Sequence, residues 1–480
     1  MQNKTTETNC THSPKLGSYS LVSKAISETI SSSQLLIPLI STQICDVAVQ
    51  AIDVVMMGLL GTQSIASGAL GTVAFATAVY VGYGIVSGVG AMAAEAVGTD
   101  EPEQVSYILF QGLWLLIIIS LPMVLLLWCG GSFSGLIGQD KGDFFLVKSY
   151  ANAVIWGLPA AIGLLIAKDI ASAVNYPQSI AVIAVIGLGL NIPVNYILMF
   201  GKFGFPDLGL SGIGWASSFI YWLTFLIAIV LFMFHPKFDK YSFLGNFYQL
   251  DPRLIIKLFR IGYPMGIHYG TEIALLNITT LLMGSFGTAT LAAHQITIQT
   301  VEVFMAIPSA IACTTVARVG YAYGAKDAMG IRVSAFINLA IGAFFSLLVI
   351  IIVWEFPKQV VSIFINPDDP NYFNTKATAI SFLYIAGFYQ FAYGLQMNMT
   401  GALLGIQDTK IPMLINLLSF WGSGLGVGYL LAMPLGYGGM GLWWGLVLGP
   451  LISSLLLVYR FLFLNRQKGD QIKDVNPAVK

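Results

Sequence analysis

Twelve membrane-spanning helices in two pseudo-symmetric six-helix halves, an all-α polytopic architecture, are predicted by three observations. The first is composition. Of 480 residues, 56% are hydrophobic and only 10% charged, and mean hydropathy is +0.78, whereas a soluble domain carries about 25% charged residues. The second is spacing. Windows of about 20 apolar residues recur near 34–58, 66–94, 107–129, 149–173, 178–200, 209–234, 261–284, 290–317, 333–354, 378–404, 411–432 and 440–464. The third is an internal repeat. At an offset of 226, Pro38 meets Pro264, Asp46 meets Glu272, Ala66 meets Ala292, and GTDE (98–101) meets GAKD (324–327). At 227, GLSGIG (209–214) meets GYGGMG (436–441).

Taken in order, the chain opens with a polar tail, 1–32, that lacks the apolar core of a secretory signal. A first half (33–234), a basic loop (235–260), a second half (261–464) and a tail (465–480) follow. Lys4, Lys15 and Lys24, then Lys237, Lys240, Arg253, Lys257 and Arg260, then Arg460, Arg466, Lys468, Lys473 and Lys480 fall on one side of the membrane if the spans number twelve. The other side holds Lys141, Lys148, Lys202, Lys358 and Lys376. Basic loops stay inside, so both termini are expected in the cytoplasm and the chain in the inner (plasma) membrane. The Asn3 and Asn9 sequons are discounted for the same reason. Six spans per half make the repeat parallel, an arrangement that lets two lobes rock about a central site. Gly84-x-x-x-Gly88 and the run Gly422, Gly424, Gly426, Gly428 read as close helix packing.

Zero net charge gives no field for nucleic acid. Cys10, Cys45, Cys129 and Cys313 are scattered, with no disulfide or zinc pattern, and read as small buried hydrophobes. No P-loop, GxSxG or HExxH occurs, so neither ATP-driven transport by this chain nor common hydrolysis is supported. No enzyme activity and no cofactor is expected.

The chemistry lies in acids within the spans, since an aspartate at mid-membrane costs about 2.5–3.5 kcal/mol. Asp46 and Asp53 are seven residues apart on one helical face, with Gln50 between them. Glu272 has His268 one turn earlier, close enough to share a proton. Glu302, Gln295 and Gln299 form a polar stripe that should face a cavity. Glu95, Lys168 and Asp169 lie near span ends, where snorkelling is cheap, and His294 reads as an interior histidine with its hydrogen bonds met. Tyr389, Tyr393, Gln396 and Thr400 could line one face, and Met397 adds an adaptable thioether. Aromatic faces and thioethers suit organic cations, although helix packing and interfacial belts explain most such residues. A desolvated carboxylate could exchange protons or, with nearby oxygens, hold sodium; the residues alone leave both open.

At this point the chain resembles the multidrug and toxic compound extrusion (MATE) transporters, in particular the bacterial NorM-type branch. The resemblance rests on NIPVNYILMFGKFGFPDLGLSGIGWASSFIYW (191–222), AIDVVMMG (51–58), FRIGYP (259–264), AAHQ (292–295) and RVGYAYGAKD (318–327). It implies export of mostly cationic amphiphiles, driven by inward proton or sodium flow. It assigns Asp53 to the first-helix coupling aspartate, Glu272 to the acid of helix seven, and Asn191 and Asn195 to the polar positions beside Asp53. Sodium would sit at Asp53 or Glu272, and no other metal is implied. Tyr393 stands where the NorM-type pattern carries a helix-ten aspartate. Asp46 and Glu302 have no counterpart in that pattern. Asp46 is expected to join the ion site. The stripe 295–299–302 and the residues Tyr389, Tyr393, Gln396 and Met397 are expected to meet substrate. The expected partners are small organic cations and membrane lipids, with a monomeric protein. The alternatives are a lipid-linked oligosaccharide flippase, which would need more Lys and Arg within the spans, and a membrane enzyme built on His268.

Overall fold

The structure, a computed structural model, describes residues 15–133, 141–241, 243, 250–364 and 372–475. Lys4, Cys10, the two sequons and Lys480 lie outside the described residues. Inside a bilayer every backbone N–H and C=O must be bonded within the chain, which leaves helices as the economical solution for these apolar runs. The first half comprises α1 (Lys15–Leu59), α2 (Thr62–Val86) continued by α3 (Gly88–Gly98), α4 (Pro102–Phe133), α5 (Lys141–Val154) continued by α6 (Leu158–Ala173), α7 (Gln178–Phe200) and α8 (Leu210–Phe234). The second comprises α9 (Pro252–Gly284), α10 (Thr288–Gly324), α11 (Ala328–Glu355), the short α12 (Pro357–Ser362) and α13 (Tyr372–Gly405). It ends with α14 (Lys410–Leu418), a π-helical segment (Ser419–Gly426), α15 (Val427–Ala432) and α16 (Gly438–Val475). Each of the twelve apolar windows falls in one of these helical passes. Ten passes are long and apolar enough by composition to cross a membrane. The other two, α9 and α13, have 33 and 34 residues and carry more polar side chains, among them His268, Glu272, Gln390 and Gln396.

The repeat is visible in the backbone. Gly61 and Gly287, each the residue that starts a helix, have φ of 109° and 103°, values only glycine adopts without strain. Asp100 and Lys326 match at 58° and 55°, and so do Gly209 and Gly436 at 55° and 73°. Asn175 and Gln407, at 58° and 63°, extend the correspondence to a turn where no side-chain identity survives. Pro38 and Pro264 lie inside α1 and α9 at equivalent places, each removing one helical hydrogen bond.

The halves meet at one end. Here lie the start of α1, the turns at 98–101 and 324–327, Asp251, Asp408 and Asn465; Tyr107 donates to Asp251 across the halves, while Arg460–Asp408 and Arg332–Asn465 bonds join helices within the second half. It is the basic end of the sequence reading. Backbone contact there is close: a Cβ on Gly98 would fall 2.1 Å from the Tyr321 carbonyl, and one on Gly324 would fall 2.0 Å from that of Glu95. These contacts are reciprocal, because Gly324 is the repeat mate of Gly98 and Tyr321 that of Glu95. The seam continues through Gly84 against Gly266, as the Gly84–Gly88 spacing predicts, to a stacked pair, Tyr83 and Tyr269, at 6.2 Å. Leu36 and Leu39 pack on Ala310 and Ile311 at the equivalent place. Toward the opposite end the inward faces are accessible: Val73 is 51% exposed, Tyr80 49% and Val303 52%. The glycine run lies in the π-helical segment and α15, where Gly424 and Gly428 lie against Gly445; Gly422 touches nothing.

Three expectations need correction. Lys168 and Asp169 do not snorkel. They lie within α6, each 9% exposed, because α6 is packed on several sides by α8, α3, α4, α2 and α10. Cys129 is exposed rather than buried, whereas Cys45 is buried and Cys313 partly so. His268 and Glu272 do not share a hydrogen bond, since their nearest atoms, Nε2 and Oε2, are 3.7 Å apart.

Candidate functional site

The first-half acid site is built by three helices. On α1, the residues Ile37, Ile44 and Val55 form the outward stripe, at 68%, 57% and 65% exposure. The face half a turn away, carrying Leu39, Asp46 and Asp53, points inward. Asp53 is half-buried and meets α7 and α8. Its Oδ1 accepts from Asn191 Nδ2 at 3.0 Å and Asn195 Nδ2 at 2.7 Å, and its Oδ2 accepts from Ser217 Oγ at 3.3 Å. Asn195 also donates to Asn191 Oδ1 at 3.2 Å. Both asparagines are fully buried. Pro193 lies between them in α7, and the i, i+4 spacing puts both amides on one face. Asn195 Oδ1 has no hydrogen-bond partner among the described residues. An unmet buried amide oxygen costs about 1–3 kcal/mol, so the site has an acceptor in reserve beside a carboxylate. That combination suits a proton-bearing species or a small hard cation. Ser217 was not singled out from the sequence; its signal is its place in the 191–222 block, one turn past Ile213 on α8.

The second-half acid is wired differently. Glu272 on α9 is 8% exposed, and Tyr393 of α13 stands beside it on the wall of the same crevice. Its Oε2 has no hydrogen-bond partner among the described residues. Around it lies an apolar crevice with Leu275, Tyr389, Phe420 and Leu446 on its walls. The π-helical segment supplies Phe420 and Gly424 here, and such segments recur at functional sites. A sodium ion needs several oxygens; here it would find one carboxylate and one phenol.

Asp46 and Glu302 do not join either acid. Asp46 is accessible on the inward face of α1, as is Gln50. Gln295, Gln299 and Glu302 are accessible along one stripe of α10, whose other faces are covered by α13, α11, α3 and α1. Tyr80 stands within electrostatic reach of Asp46, Glu302 and Glu272. The polar stripes of the two halves thus line the space between them. Gln396 is not part of that lining. It bonds Thr400 at 3.0 Å and Asn416 at 3.1 Å in a buried network that Ser453 completes. Tyr389 is buried with its ring tilted against that of Tyr393, centroids 5.6 Å apart, and Met397 touches Ser309 Oγ at 3.9 Å. His294 is fully buried, with Nε2 3.1 Å from Thr280 Oγ1.

Two repeated bundles around a polar space, with Asp53 in one and Glu272 in the other, define a multi-pass membrane protein with transporter architecture. A family model, MatE, matches residues 38–197 and 264–430, and the chain belongs to that family. It is 33% identical over 428 residues to the "Probable multidrug resistance protein NorM" of Synechocystis sp., covering 89% of this chain and 93% of that protein. The protein of the same name from Pseudomonas aeruginosa is 30% identical over 424 residues, covering 88% and 87%. Among solved structures, the eukaryotic MATE transporter AtDTX14 superposes with a TM-score of 0.82 at 20% identity, covering 94% of this chain and all of that one. An outward-facing MATE transporter of the MOP superfamily superposes at 0.81 and 18% identity, covering 92% and 97%. The fold is that of the MATE transporters, and the relatives are transporters rather than enzymes.

Proposed function

We propose that the protein is a secondary antiporter that exports cationic amphiphilic compounds in exchange for inward proton or sodium flow, with Asp53 as the coupling acid. The observation that carries this reading is the Asp53 site: a carboxylate deep in a spanning helix, approached by three donors, beside the unmet Asn195 oxygen. Organic cation and coupling ion would compete for this negative charge. With the basic end in the cytoplasm, the space between the halves opens outward. Ion binding at Asp53 would neutralise the acid, release substrate to that side and favour re-closure. Asp46, Glu302, Gln295 and Gln299 would meet substrate on the way, and Glu272 with Tyr393 would serve as a second acid. Tyr393 in place of an aspartate favours a proton over sodium there.

The test is ethidium efflux from vesicles carrying the protein, under a pH gradient or a sodium gradient imposed separately. We expect efflux to follow the pH gradient. Efflux that responds only to sodium would assign sodium as the coupling ion, and efflux indifferent to both would end the antiport reading.

A further inference from the structure

The amino-terminal part of α1 is longer than the repeat requires. At the offset of 226, α9 begins at a residue equivalent to Ile26, yet α1 begins at Lys15. Between Lys24 and Thr42 one stripe of α1 is turned inward: Glu28, Ser32, Leu35, Leu39 and Thr42 are all 9% exposed or less. This spacing (i, i+4, i+7, i+11, i+14) is that of a single helical face. What the stripe covers is the other half of the molecule. Arg318 of α10 donates Nε to Glu28 Oε1 at 2.8 Å and Nη2 to Glu28 Oε2 at 2.6 Å, a two-point geometry that fixes both side chains. The Arg318 and Glu28 side chains are only 14% and 11% exposed. One turn earlier, Lys24 pairs with Asp327, the residue that caps α11 through the Gly330 N–H at 2.9 Å. Partial burial works to raise the Asp327 carboxyl, but Lys24 and the backbone N–H groups of Gly330 and Met329 outweigh it and hold it below the usual carboxylate range. The repeat mates of Glu28 and Arg318 are Leu254 and Met92, so no second pair balances this one.

We infer that residues 24–39 of α1 are a strap that locks the two halves together at the basic end through an ion pair without a repeat mate, and that the Glu28–Arg318 pair must break in each transport cycle. This rests on the alternating-access reading above. Glu28 belongs to the first half and Arg318 to the second, so parting that end separates them. Pro38, at the top of the strap, leaves α1 one hydrogen bond short where the strap joins the spanning part. Removing one partner of so enclosed a pair strands the other charge, and the closed state loses population to the state open at this end.

The structure contains its own reporter. Cys313 of α10 lies across the seam, with Sγ 3.6 Å from Asp169 Oδ1 and 3.7 Å from Ser172 Oγ; opening the basic end parts it from both. The experiment measures the N-ethylmaleimide labelling rate of Cys313 by peptide mass spectrometry in the full chain reconstituted in nanodiscs. Glu28→Gln and Arg318→Gln should each raise the rate about tenfold. The charge swap Glu28→Arg with Arg318→Glu should bring it back near the wild-type value, which a merely loosened fold would not do. Unchanged labelling in both single variants would show that the strap rides with the second half, and the lock would be wrong. Fast labelling that the swap does not restore would also overturn it. Labelling needs neither dye nor ion gradient, so a wild-type protein that fails to export still tests the strap, and failure of the strap leaves the antiport reading standing.

Discussion

Asp53→Asn is expected to abolish gradient-driven efflux while leaving the protein in the membrane at wild-type abundance. The amide keeps the size and most contacts of the carboxylate, so the helices α1, α7 and α8 still pack. What it removes is the charge that, on the proposed coupling role, an ion would neutralise. One charge moved across 100 mV is worth about 2.3 kcal/mol, or roughly a 50-fold concentration ratio at 1.4 kcal/mol per decade. Loss of that coupling leaves only downhill leakage. Efflux rates from vesicles, normalised to protein by quantitative blotting, check this. Undiminished uphill efflux would remove Asp53 from the mechanism.

The second large effect is steric. A Cβ on Gly262 would fall 1.8 Å from the Ile85 carbonyl oxygen, and one on Gly324 would fall 2.0 Å from that of Glu95. Both obstacles are backbone of the opposite half, so neither can swing aside as a side-chain end would. Gly262→Ala and Gly324→Ala should therefore force the halves apart at the basic end, with overpacking costs of about 1–3 kcal/mol each. We expect a lower thermal midpoint and efflux reduced about tenfold. Gly189→Ala is the control. Nothing lies within 4 Å of that position, it is inside α7, and alanine is the better helix former by up to about 1 kcal/mol. Equal melting of Gly189→Ala and Gly324→Ala would show that the seam is not under this constraint.

The fold was legible in the sequence to an unusual depth, and the reason is the bilayer. Apolar windows of spanning length have one structural outcome, so each window falls in a helical pass. The repeat is legible where a residue type is forced, as at Gly98 and Gly324, whose close backbone contact admits no side chain, and invisible where any residue serves, as at Asn175 and Gln407. The contact of Asn191 and Asn195 with Asp53 was legible only through the resemblance, which placed the two asparagines beside that acid. Less was legible at Gln396, whose polar side chain serves a buried network with Asn416; sequence shows that a glutamine lies in a span but not which neighbour it meets. The strap escaped notice for a similar reason. Residues 24–32 are polar and read as tail, and only a partner almost 300 positions away turns Glu28 into an inter-half contact. Lys168 and Asp169 misled because their distance from a span end was judged along the chain, whereas α6 is buried along most of its length.

The central claim is that substrate and coupling ion contend for the Asp53 carboxylate. It is tested most directly by adding ethidium to the purified protein in lightly buffered detergent solution and following bulk pH, or the loss of bound radioactive sodium. The account predicts ion release on ethidium binding to the wild-type protein, and binding without release for Asp53→Asn. Ethidium that binds the wild-type protein and displaces neither proton nor sodium would contradict it.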